Sequence, residues 1–241
     1  MHPFILKICG LSGVAQIRVA EACGATHVGL IVEVARSPRC LTRSQARLLS
    51  RAARVSSVMV TTADQADEVI ALARTVQPTV IQLHGAPPSL VGALRDALPG
   101  VALWLVVVVE AGMAPDLDVA AAGIESAGAA GADAIVLDSA RGGQSGGTGL
   151  AMDWEAAAQL VERAAQTPVI LAGGLDPDNV AEAVRRARPA GVDVSSGVES
   201  APNTKSPALI RAFCTTVRQV TGGPEPAEQA EPSGPVVRST V

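Results

Sequence analysis

The sequence predicts an α/β protein, a single-domain (β/α)8 TIM barrel, on three observations. Short apolar, β-branched runs recur along the chain, eight in all, and an Ala-rich segment of helical periodicity follows each. The length of 241 residues suits a barrel of this kind, which commonly fills such a chain as one domain. No G-x-G-x-x-G follows the first apolar run, which leaves an open, doubly wound sheet as the second choice.

The first strand is expected over 4–9, where an apolar run stops at Cys9 and a turn residue, Gly10. Ser12 then offers a side-chain oxygen to the amides of the first helix, as Thr42 does for the second and Asp64 for the third. Further strands are expected over 27–34, 57–61, 79–83, 101–108, 134–138, 169–172 and 191–195. Gly24 and Gly100 precede the second and fifth, where helix-to-strand turns favour a left-handed residue. The unbroken apolar run 101–109 is far short of the ~20 residues of a membrane span, and its valines suit a strand covered on both faces. The last helix starts at Pro207, where a missing N–H costs little. Apolar periodicity stops at Thr221, so the expected organisation is a barrel over 1–220 and a disordered tail over 221–241.

Composition narrows the function. The core is aliphatic, with no Tyr, two Phe and two Trp, and the net charge of −4 comes without a basic run. That argues against nucleic acid as a partner, because neither stacking platforms nor an electrostatic footprint is present. The four cysteines at 9, 23, 40 and 214 show neither CxxC pairing nor metal-ligand spacing, and no signal-peptide pattern precedes them. The expectation is a reduced, cytoplasmic protein with no metal and no membrane partner.

Barrel active sites lie at the C-terminal ends of the strands. Cys9 ends the first strand, Arg39 follows the second, His84 ends the fourth and Asp138 ends the sixth. A lone buried Cys packs as a small hydrophobe and a lone strand-end Asp caps loops, so each residue has an inert reading. Together, an acid and a base across a barrel mouth could move protons between neighbouring atoms of a sugar without a cofactor. Glycines cluster after the sixth strand (Gly146, Gly147 and Gly149), after the seventh (Gly173 and Gly174) and, with Ser195, Ser196 and Gly197, after the eighth. Three such loops can bring backbone amides to a phosphate.

Read in order, Lys7-Ile8-Cys9-Gly10, Ser37-Pro38-Arg39, Gln82-Leu83-His84-Gly85, Leu137-Asp138, Gly146-Gly147-Thr148-Gly149, Asp153-Trp154, Leu171-Ala172-Gly173-Gly174-Leu175 and Val192-Asp193-Val194-Ser195-Ser196-Gly197-Val198-Glu199 resemble the phosphoribosylanthranilate isomerase family. The resemblance runs from Lys7 to about Val217. It implies an Amadori rearrangement in tryptophan biosynthesis, without metal or organic cofactor, by a monomer or homodimer acting on a phosphosugar. Asp138 would protonate the furanose oxygen and Cys9 would take the C2 proton. Arg39 would meet the anthranilate carboxylate, His84 and Asp193 would be further substrate contacts, and the glycine loops would hold the phosphate.

A free thiol is only a few per cent thiolate at neutral pH, so a basic Cys9 needs a positive neighbour. Strand alternation puts residues 7 and 9 on one face at different depths, and Lys7 is therefore not expected to be that neighbour. The 29–36 segment departs from the family pattern, with no aromatic residue and one extra position, which would bring Glu33 near the anthranilate pocket. Two alternatives follow: an isomerase of another phosphoribosyl amine, and a catalytically idle phosphosugar binder.

Overall fold

Alternation of inward and outward side chains turns the eight expected strands into a closed ring. The computed structural model describes residues 3–110, 117–141, 144–145, 152–164 and 166–223. Its parallel barrel strands are β1 (Ile5–Ile8), β2 (His27–Ile31), β3 (Ser56–Thr61), β4 (Val80–Leu83), β5 (Ala102–Glu110), β6 (Ala134–Arg141), β8 (Val169–Ala172) and β9 (Gly191–Val194). They pair in the order β5-β4-β3-β2-β1-β9-β8-β6, and a β5–β6 ladder closes the circle, excluding the open sheet. A two-residue strand, β7 (Gln144–Ser145), turns back antiparallel on β6. A short hairpin of β10 (Glu199–Ala201) and β11 (Thr204–Lys205) follows β9 through a 3-10 turn, Ser196–Val198.

Around the ring lie α1 (Val14–Ala22), α2 (Arg43–Ala52), α3 (Ala66–Val76), α4 (Leu90–Ala97), α5 (Leu117–Ala129), α6 (Trp154–Arg163), α7 (Val180–Ala187) and α8 (Pro207–Thr221). Thr42 caps α2 in a reciprocal box: its side chain accepts from the Gln45 amide, and the Gln45 side chain accepts from the Thr42 amide. Ser12 and Asp64 do not cap as expected. Helix α1 begins from Gly13, and Ser12 instead donates its N–H to Gln16 Oε1. Helix α3 begins from Gln65, whose side chain occupies Asp64. Gly24 and Gly100 do take left-handed conformations, with φ of 86° and 84°.

Two apolar layers result. Outward residues such as Leu6, Ile8, Leu30, Met59 and Ile135 pack against the helices. Inward residues, Val58, Val60, Val80, Trp104, Ala134, Val136 and Ile170, fill the barrel below Cys9. Strand β2 stops at Ile31, short of the expected 34, because Glu33 adopts φ 54° and turns the chain after the Val32–Leu41 bridge. Helix α8 runs to Thr221 and ends on a left-handed Gly222. Most of the expected tail, 224–241, lies outside the described residues. Among the described residues no helix is long and apolar enough to cross a membrane.

Candidate active site

Because odd-numbered residues of β1 and β9 and even-numbered residues of β4 and β6 point inward, the strand ends deliver their side chains to one cavity. It has a volume of about 380 Å³. Cys9, Asp138, Arg39, His84, Asp193, Gly173, Gly174, Ser195 and Ser196 all line it. Apolar walls come from Ile31, Val34, Val60, Ala172 and Leu175. Gly146, Gly147 and Gly149 lie outside the described residues. Gly197 stands just behind the lining, pressed so closely on the Leu175 carbonyl that a Cβ would sit 1.9 Å from its oxygen.

Beneath the cavity, Lys7 is fully buried and ion-paired with Asp193, its register partner across the β1–β9 ladder. Above it, Glu199 holds two cations. Arg39 donates to it through Nε and Nη2, each at 2.6 Å, and Lys205 Nζ donates at 2.8 Å. Lys205 also reaches the Ser195 carbonyl at 2.8 Å, and Ser195 Oγ donates to the Cys9 carbonyl at 3.3 Å. A guanidinium has five N–H donors, and with only Nε and Nη2 engaged among the described residues, Arg39 keeps donors for a ligand carboxylate.

Burial pushes the Cys9 thiol above its ordinary pKa, opposed by Lys7 and Lys205 and reinforced by Asp193. Lys7 itself would be lowered by burial, but attraction to Asp193 and Cys9 holds it above the usual lysine value. Lys7, expected to stand too deep, is thus among the charges that act on the thiol. Its side chain is long enough to carry the ammonium from its own layer toward the next. Burial, with Arg36 and Lys7 nearby, pushes His84 down, so it is neutral at pH 7. Burial alone would raise Glu199, yet hydrogen bonds from Arg39 and Lys205 hold it at about 2.

Glu33 does not approach the cavity. Its carboxylate is taken by Arg43, at 2.7 and 2.8 Å, on the outer side of the loop. The left-handed turn that ends β2 absorbs the extra residue and directs this side chain away. That removes one of the two grounds for a different aminoaldose substrate, the other being the absence of aromatic residues from the 29–36 segment.

Residues 6–216 match the family model described as N-(5'-phosphoribosyl)anthranilate (PRA) isomerase. The chain belongs to this family. An N-(5'-phosphoribosyl)anthranilate isomerase of Methanocella arvoryzae is 39 % identical over 218 residues, covering 88 % of this chain and 97 % of that one. The phosphoribosyl anthranilate isomerase structure from Thermococcus kodakaraensis superposes with a TM-score of 0.75 at 32 % identity, over 89 % of this chain and 99 % of that one. Another, solved with reduced 1-(o-carboxyphenylamino)-1-deoxyribulose 5-phosphate, gives 0.72 at 26 % identity over 91 % and 99 %.

Several lining residues of this family member received no role from the sequence. Arg36, Ser37, Thr62 and Gln82 also face the cavity, while Glu199 and Lys205 anchor its rim. Glu199 stood within a motif that carried the resemblance, but nothing in the spacing linked it to Arg39, 160 residues earlier. Two buried acceptors at the cavity, Gln82 Oε1 and Asp193 Oδ1, have no donor among the described residues.

Proposed function

We propose that Cys9 and Asp138 are the base and acid of an Amadori rearrangement converting N-(5-phosphoribosyl)anthranilate into 1-(2-carboxyphenylamino)-1-deoxyribulose 5-phosphate in tryptophan biosynthesis. The observation that carries the assignment is one cavity with a thiol at the end of β1, a carboxyl on β6 across its mouth, and anion-ready loops after β8 and β9. Asp138 gives its proton to the furanose oxygen as the C1–O bond breaks, leaving a protonated Schiff base and an open chain. The Cys9 thiolate removes the C2 proton, the electron pair moves toward nitrogen, and the resulting enolamine tautomerises to the ketose. Only protons move, so the residues themselves suffice.

The phosphate falls to the loops of Gly173, Gly174, Ser195, Ser196 and Gly197, joined by Gly146, Gly147 and Gly149. Gly173 and Gly174 take left-handed φ of 79° and 65°, a conformation that turns the loop after β8 and lets its N–H groups face phosphate oxygens. Arg39 faces the anthranilate carboxylate, and the aliphatic walls receive its ring by burial alone. His84 and Asp193 contact the sugar. We take residues 1–220 as the catalytic unit, acting as a monomer or homodimer in the cytoplasm, where a free thiol persists.

The test follows the loss of the substrate's fluorescence. Wild-type protein should turn it over, whereas Cys9→Ala and Asp138→Asn should each lower kcat by about 10²-fold or more. Full activity in either variant removes that residue from the mechanism.

A further inference from the structure

A thiol enclosed at the end of a barrel strand is a poor base unless a fixed positive charge faces it. Cys9 has such a charge. We propose that the buried Lys7 ammonium, held by Asp193 across the β1–β9 ladder, stabilises the Cys9 thiolate, so that Lys7 positions and tunes the base from beneath the cavity. The proposal rests on Cys9 being the base.

Three facts support it. Lys7 is completely buried, a costly place for an ammonium, and its ion-pair partner uses one carboxylate oxygen on it. That pair leaves the other oxygen, Asp193 Oδ1, without a donor among the described residues, so the pair is not arranged for maximal mutual satisfaction. Lys7 on β1 and Cys9, one residue beyond its end, also stand two residues apart on the inward face, and the lysine's charge favours the thiolate.

The remaining groups facing the thiol are Asp193 from β9, Lys205 from β11 and Arg39 from the loop after β2, with Glu199 compensating the last two. Asp138 lies across the mouth. Lys7 is further surrounded by His27 and His84, both pushed toward neutrality by burial, so neither supplies a competing positive charge at pH 7. Lys7 is therefore the positive charge nearest the thiol in effect, and it stays protonated while the thiolate accepts the C2 proton.

The thiolate can be titrated without substrate, by ultraviolet absorbance of the protein minus that of Cys9→Ser, which cancels Cys23, Cys40 and Cys214. In Lys7→Met the Cys9 titration should move upward by about one pH unit or more. Its kcat/KM at neutral pH should fall about 10-fold and recover as pH rises, with KM little changed. Since Lys7→Met strands Asp193, the double variant Lys7→Met/Asp193→Asn removes both charges; its thiol should also titrate above wild type, by less. An unmoved titration in a folded variant overturns the proposal and leaves the role of Cys9 intact. Full activity of Cys9→Ala, by contrast, would overturn the role of Cys9 itself.

Discussion

Gly173 shows how little room the chemistry leaves at single positions. Its φ is 79°, and a Cβ there would lie 2.2 Å from Ser139 Oγ and 2.6 Å from Asp138 Oδ1. Gly173→Ala should therefore displace the Asp138 carboxyl as well as strain the backbone. We expect a loss of about 1–3 kcal/mol in stability by urea unfolding, with kcat reduced well beyond what the remaining folded fraction explains. Unchanged kcat would show that Asp138 tolerates the shift. Gly29 gives similar clearance on the other side, since a Cβ there would sit 2.6 Å from Cys9 Sγ. Sequence could mark Gly173 through its doublet, but not Gly29, whose partner lies on the neighbouring strand. Lys7 shows the same limit: residue spacing along a strand says where a Cα lies, not how far a flexible stem carries its charge.

At the scale of elements, local chemistry predicted much and tertiary contacts adjusted the ends. The Thr42 capping box is a purely local device, and the sequence shows it. Thr42→Ala should cost about 1 kcal/mol and lower Tm by about 2–4 °C, read by thermal unfolding; no change would mean that packing of α2 makes its cap redundant. Ser12 and Asp64 carried the same signal, yet α1 and α3 start one residue later, from Gly13 and Gln65, and neither start has a side-chain cap. Strand β2 ended early because the left-handed Glu33 and its Arg43 pair redirect the loop, a contact over ten residues that alternation does not encode. The same turn leaves Val34 and Arg39, instead of Glu33, facing the cavity.

For the whole molecule, pH tests the barrel interior. His27 hydrogen-bonds Thr26 Oγ1 through Nδ1 at 2.8 Å and lies 5.1 Å from Trp104, ring to ring. Burial and Lys7 lower its pKa from 6.5 to about 4. The unfolded chain thus binds a proton that the native protein refuses between those values. Stability from this group is complete above 6.5 and is lost as pH falls toward 4, by ~2–3 kcal/mol after allowing for part exposure. Urea midpoints at pH 7 and 4.5 should differ less in His27→Gln than in wild type; an equal difference would place the acid sensitivity elsewhere. Glu199, held at about 2, adds a separate loss only below the usual carboxylate range, near 4.5. A chain ending at Gly223 should keep wild-type activity and Tm, since the described ring closes without residues 224–241; a fall in either would give the tail a role.

By itself, the sequence determined the repeating units, the barrel, the family resemblance and the strand-end residues. Each is written in local periodicity or in motifs whose order survives without coordinates. Only the tertiary structure decided what those residues face. It closed the ring through β5 and β6, gave Arg39 to Glu199, turned Glu33 outward and brought Lys7 under Cys9. The physical reason is common to all four: charges and ladders act across strands distant in the chain, and their strength depends on distance and burial, which spacing along a sequence does not contain.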